Sequence, residues 1–172
     1  MVKIYTKSGD KGTSLAIDGK RRRKSDLIFE VEGSFDALNS HIGYALSLAE
    51  QKIKMLQTVQ NQLFNIGAYF WKSDTNEHIQ EQIVSDLEAE IDRLTSELPT
   101  LKNFILPGGS QLGAYLHVAR TECRKCERLL VQFSEEQPVH PIALQYINRL
   151  SDYLFTLARY YNNKGQNDIL WS

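Results

Sequence analysis

The sequence predicts an all-α protein, a five-helix bundle preceded by an extended N-terminal loop. Three observations predict it. Apolar residues recur at helical spacing in five successive stretches, the connections between those stretches are short, and β-type alternation is scarce. At 172 residues the chain is sized for one domain, 1–172, with a loop region over 1–24 and the bundle over 25–165.

Val2-Lys3-Ile4-Tyr5 is a short β-like segment and is expected to be extended. Thr6-Lys7-Ser8-Gly9-Asp10-Lys11-Gly12-Thr13-Ser14 follows, with two glycines that permit sharp turns among hydroxyls and lysines. Curled backbone with its N–H groups turned inward and lysine nearby suits a polyphosphate, although such a cluster is also what an ordinary surface turn looks like. Phe35, Leu38, Ile42, Ala45, Leu46 and Ala49 place a first helix between about Ser25 and Glu50. Ile53, Leu56, Val59, Leu63, Ile66 and Phe70 give a second, followed by a polar loop, Lys72-Ser73-Asp74-Thr75-Asn76. Ile83, Leu87, Ile91, Leu94 and Leu98 give a third, stopped by Pro99. Pro107-Gly108-Gly109-Ser110 opens the fourth, with Ser110 as N-cap. Pro138 and Pro141 bracket the start of the fifth, which carries Ile142, Ile147, Leu150, Leu154, Leu157 and Tyr161.

Composition narrows the function classes. A net charge of −1 supplies no global field for nucleic acid or anionic membrane, so an anionic ligand needs local clusters. The basic run Lys20-Arg21-Arg22-Arg23-Lys24 lacks interleaved aromatics and reads as a solvated loop. No apolar run reaches the length of a membrane span and no secretory leader is evident, so a cytoplasmic location is expected. Cys123 and Cys126 form a C-x-x-C pair, but inside a helical stretch and without further ligands they read as buried apolar residues. His41, His78, His117 and His140 show no metal-ligand spacing, and His117 reads as structural.

Polar residues concentrate on the last two helices. Arg120, Arg124 and Glu127 are spaced i, i+4, i+7 and line one stripe of the fourth, with Arg128 alongside. The stripe is either a solvated face with intrahelical ion pairs or a pair of guanidinium forks for phosphate or carboxylate. On the fifth helix Asn148, Asp152, Phe155 and Arg159 share a face. Asp36 and Asn39 lie one turn apart on the first, with Asp36 expected to be partly buried against an arginine.

Several of these segments together resemble the PduO-type ATP:cob(I)alamin adenosyltransferase family. The resemblance is carried by Ile4 to Gly12, Lys24-Ser25-Asp26, Gly33-Ser34-Phe35-Asp36-Ala37-Leu38-Asn39-Ser40-His41-Ile42-Gly43, Phe104 to Ser110, His117-Val118-Ala119-Arg120-Thr121 and Asn148-Arg149-Leu150-Ser151-Asp152, in register from about residue 3 to 161. It implies a cobalamin adenosyltransferase-like bundle of ferritin-like architecture and a homotrimer with active sites between subunits. It implies ATP held by Thr6, Lys7, Ser8, Gly9, Gly12, Thr13 or Ser14, and Lys24, completed by Arg124, Glu127 and Asn148. Mg2+ would ride on the triphosphate rather than on a protein site. The corrinoid, cob(I)alamin, would meet Asp36, Asn39, Phe104, Arg120 and Phe155, with Asp36 pairing Arg120 across the interface. Asp36, Arg120, Arg124 and Phe104 would form the reaction centre, and the product would pass to an adenosylcobalamin-dependent enzyme.

The reaction class explains why no nucleophile or general-base pair stands out. The cobalt itself attacks the 5′ carbon of ATP, so the protein has to align the reactants and steady the departing triphosphate. Departures from the family pattern are Ala37 where a glutamate is usual, Lys125 where a second arginine is usual, and Gly12-Thr13-Ser14 where Gly-x-Thr is usual. A non-catalytic relative that binds ATP and corrinoid to deliver or sense the cofactor is the alternative. A di-iron bundle is set aside, because no glutamate is followed by histidine three residues later.

Overall fold

The computed structural model describes residues 3–71 and 79–172. Its elements run β1 (Thr13–Leu15), β2 (Arg21–Arg23), α1 (Leu27–Leu48), α2 (Lys54–Tyr69), α3 (Gln82–Ser96), β3 (Ile105–Leu106), α4 (Gln111–Ser134), α5 (Pro141–Tyr161) and β4 (Ile169–Leu170). The five expected helices are present. α4 packs on both α1 and α5, α2 flanks α1, and α3 flanks α5.

Capping explains several boundaries. Ser110 is the N-cap of α4, its hydroxyl accepting from the Gly113 N–H at 3.0 Å. His140 caps α5, with Pro141 in the first turn. α1 is shorter than expected at both ends: Asp26 precedes it in extended conformation and Ala49 leaves it the same way. α3 ends at Ser96, so Leu98 lies outside it; Pro99 disfavours helical backbone at the residue before it.

The central seam is apolar. Leu112, Leu116, Ala119, Cys123, Cys126, Leu130 and Phe133 of α4 are all buried, as the periodicity requires. Both cysteines are unbridged thiols. Burial pushes Cys126 up to about 12 and Cys123 well above its ordinary value, so neither is a thiolate at neutral pH. No helix among the described residues is long and apolar enough to cross a membrane.

The small sheets were not expected. β1 pairs antiparallel with β2, placing Ser14 opposite Arg22, and the hairpin is pinned to α1 through buried Ala16 and the Ile17 N–H donating to Glu32. β3 pairs antiparallel with β4. The extended segment before the loop belongs to neither sheet: Lys3–Tyr5 is unpaired, with Ile4 fully exposed, while Val2 lies outside the described residues. The expected loop Lys72–Asn76 and His78 also lie outside them.

Candidate functional site

The N-terminal loop is a folded turn. The Asp10 N–H donates to the Lys7 carbonyl at 3.4 Å and the Gly12 N–H to the Gly9 carbonyl at 3.2 Å. Gly12 sits at φ 75°, where a side chain would be strained. The Lys24 N–H donates to the Gly12 carbonyl at 2.9 Å, so the end of β2 is tied to the loop. Its ammonium lies 3.0 Å from where a Cβ on Gly9 would stand, which brings the one lysine of the basic run that matches the family motif onto the turn. Thr6 and Ser8 share a hydroxyl hydrogen bond of 2.8 Å.

Arg21 is more than a solvated residue. One guanidinium N–H group reaches both the Ser8 carbonyl at 3.0 Å and Thr13 Oγ1 at 3.1 Å, bracing the loop against the hairpin. Thr13 Oγ1 thereby accepts one hydrogen bond and keeps its own proton to donate, whereas Ser14, on the opposite face of β1, has no side-chain partner among the described residues.

The α4 stripe holds uncompensated cations. Arg120 is half-buried, its Nε has no acceptor, and burial followed by the neighbouring Arg124 cation lowers its pKa from the ordinary value. Arg124 is exposed, and among the described residues its guanidinium has no carboxylate partner. The intrahelical Arg–Glu pairs of a plain solvated face are therefore missing; only Lys125 pairs locally, with Glu122 at 3.1 Å. Glu127 instead turns to α5 and accepts from Asn148 Nδ2 at 2.8 Å.

The polar set on α5 divides. Asp152 pairs with Arg149, which also bonds Glu88 of α3. Arg159 is buried and bonded to Asp168, away from any open face. Phe155 packs edge-on against His117, with ring centres 5.9 Å apart. His117 is 2% exposed and neither ring nitrogen has a partner, so burial and Arg120 hold its pKa below the ordinary value.

Asp36 departs from expectation. It is exposed and, among the described residues, pairs with no arginine, because it falls on the outward side of α1 beside buried Phe35. It lines a groove of about 220 Å3 with Asn39, Phe35, Phe64 and Gly67. Asn39 Oδ1 is buried there without a donor. Phe104 is 78% exposed, meets Trp171 edge-on at 6.2 Å, and borders a hollow of about 540 Å3 with Leu101. The candidate residues thus form four clusters: the Lys24 loop, the α4–α5 stripe, the α1 groove and the Phe104 face. Among the described residues no hydrogen bond or ion pair joins the loop to the stripe.

Over residues 4–161 the sequence matches the model of the cobalamin adenosyltransferase family. The chain belongs to this family. It is 41% identical to the corrinoid adenosyltransferase of Bacillus subtilis, covering 98% of this chain and 91% of that protein. It is 42% identical to the corrinoid adenosyltransferase MMAB of Mus musculus, covering 92% and 72% respectively. A variant PduO-type ATP:corrinoid adenosyltransferase from Lactobacillus reuteri, complexed with cobalamin and ATP, superimposes with a TM-score of 0.90 at 40% identity, over 98% of this chain and 99% of that one.

Beyond the residues of the family motifs, the structure adds Arg21 as the loop brace and a buried hub at Asn162 and Asp168. The only sequence sign of the hub is an asparagine closing an apolar helix ahead of a glycine.

Proposed function

We propose that this chain transfers the 5′-deoxyadenosyl group of ATP to the cobalt of cob(I)alamin, releasing triphosphate. One observation carries the reading: Arg120 and Arg124, without carboxylate partners among the described residues, share a helix stripe with Glu127, which holds Asn148, in a chain that aligns end to end with a cobalamin- and ATP-bound relative.

The loop, Thr6 to Ser14 with Lys24, cradles the triphosphate, and Ser14, whose side chain has no partner among the described residues, supplies a hydroxyl to it, beside Thr13, whose oxygen accepts from Arg21. Arg124 faces the phosphates with a bidentate fork, strongest where charge builds up as triphosphate departs. Asn148, fixed by Glu127, orients the nucleotide. Mg2+ comes with the nucleotide, riding on the phosphate oxygens rather than on a dedicated protein site.

The corrinoid lies against Phe104, which fills space below the cobalt and cannot coordinate it, with Phe155 as a nearby apolar wall. Excluding a lower ligand eases reduction of Co(II) to the nucleophilic Co(I). Asp36 and Arg120, each without an ion-pair partner among the described residues, pair between subunits of a homotrimer. The reading includes a cytoplasmic location and passage of the product to an adenosylcobalamin-dependent enzyme.

The experiment is to mix the protein with Mg-ATP and chemically reduced cobalamin and to follow adenosylcobalamin by its visible spectrum. Turnover is expected. Binding of both ligands without turnover would instead establish a delivery or sensing protein.

A further inference from the structure

The segment from Pro99 to Gly108, which carries Phe104, has little hydrophobic anchorage. Leu101, Phe104 and Leu106 are 40%, 78% and 45% exposed, and its only regular structure is the two-residue pairing of β3 with β4. Both of its ends are nevertheless tied to the C-terminal end of α5. At one end Arg159 Nη2 donates to the Pro99 carbonyl at 3.0 Å. At the other Asn162 Nδ2 donates to the Gly108 carbonyl at 2.9 Å, while Asn162 Oδ1 accepts from the Ser110 N–H at 2.9 Å and from its hydroxyl at 3.1 Å.

One carboxylate joins the two ends. Asp168 Oδ2 accepts from Arg159 Nε at 2.8 Å and Asp168 Oδ1 from Asn162 Nδ2 at 3.2 Å. The Arg159 and Asp168 side chains are only 9% and 4% exposed, and Asn162 is 1% exposed. Both Asn162 amide hydrogens are thus used within the cluster and Oδ1 accepts from the Ser110 N–H, while the single Ser110 hydroxyl proton is shared between Oδ1 and the Tyr161 carbonyl at 2.9 Å. From Asp168 the chain runs directly into β4, and the Trp171 N–H donates to the Phe104 carbonyl at 2.9 Å.

We infer that Arg159, Asn162 and Asp168 form a two-ended clamp that sets the position of Phe104, with Asp168 as the positioning residue that couples the two ends. The inference rests on the reading of Phe104 as a corrinoid contact. Polar bonds suit the task because the segment must keep its apolar side chains outward for a ligand and so cannot be held by burying them. Small displacements of a substrate contact carry large kinetic consequences.

The test compares the full-length protein with Asp168→Asn, by hydrogen–deuterium exchange and by steady-state kinetics with Mg-ATP and chemically reduced cobalamin. Exchange in residues 99–110 and 169–172 is expected to quicken by roughly tenfold while α1, α2 and α4 keep their protection. The KM for cobalamin should rise by roughly tenfold with the KM for ATP unchanged. Unaltered exchange, or equal shifts in both KM values, would overturn the clamp. If Asp168→Asn leaves an unpaired buried arginine that prevents folding, Arg159→Gln with Asp168→Asn removes both charges and is read the same way. Phe104→Ala, run alongside, separates the two readings. If it leaves cobalamin kinetics intact, the corrinoid role of Phe104 fails and the clamp's purpose with it. If it impairs them while Asp168→Asn does not, only the clamp fails.

Discussion

Replacing Gly113 with alanine should reverse its usual sign. In the interior of a helix, glycine to alanine gains up to about 1 kcal/mol. Gly113 lies in the first turn of α4, where an added Cβ would stand 2.1 Å from Asn162 Oδ1, 2.8 Å from Asn162 Cγ and 2.9 Å from Ser110 Oγ. Asn162 cannot swing away cheaply, because its amide is bonded to Gly108, Ser110 and Asp168. Overpacking costs about 1–3 kcal/mol, and a buried polar group stripped of its partner about 1–3 kcal/mol more. After the helix gain is subtracted, Gly113→Ala should destabilise the chain by about 1–5 kcal/mol, a fall in Tm of about 2–20 °C for a chain of this size. The assay is thermal and urea unfolding followed by circular dichroism, at one protein concentration. A second background isolates the cause. With Asn162→Ala already in place the obstructing amide is gone, so adding Gly113→Ala should be neutral or mildly stabilising. The resulting coupling of about 2 kcal/mol lies within the range for contacting residues. Equal effects of Gly113→Ala in both backgrounds would refute the packing argument.

Arg124→Ala removes a charge-assisted hydrogen bond worth about 1.5–3 kcal/mol, so kcat/KM for ATP should fall about 10- to 150-fold with Tm unchanged; intact ATP kinetics would show that the triphosphate lies elsewhere. Ser14→Ala should raise the KM for ATP directly. Thr13→Ala should act only through the Arg21 brace and be reproduced by Arg21→Ala, a match that ATP titrations of the three variants would reveal. His117 supplies a pH dependence. Burial lowers its pKa, so below about 6.5 the unfolded chain takes up a proton that the folded chain refuses, and stability falls as pH falls. The urea midpoint should therefore drop between pH 7.5 and 5.5, and His117→Leu should flatten that drop.

The bundle was legible because burial on α4 follows directly from the spacing of Leu112, Leu116, Ala119, Cys123, Cys126, Leu130 and Phe133, and because proline and serine mark the helix ends locally. The hairpins were not. β1 and β2 are three residues each, too short for alternation to register, and the Arg21–Arg23 strand has the composition of a solvated loop. Asp36 shows a different limit. Flanking apolar residues predict burial on a helix only through the face they define, and Asp36 falls on the outward side of α1 beside buried Phe35. The same distinction applies to the arginines. Spacing places Arg120, Arg124 and Arg159 on polar positions of α4 and α5, yet spacing is silent on counter-charges. Arg159 is neutralised by Asp168, nine residues on, and is consumed in holding the fold. Arg120 and Arg124 are not neutralised by any described carboxylate, and for half-buried Arg120 that carries a desolvation cost which exposed Arg124 is spared. Spacing locates a charge, and only the packed structure shows whether that charge is balanced within the fold, as at Arg159, or left open among the described residues, as at Arg120.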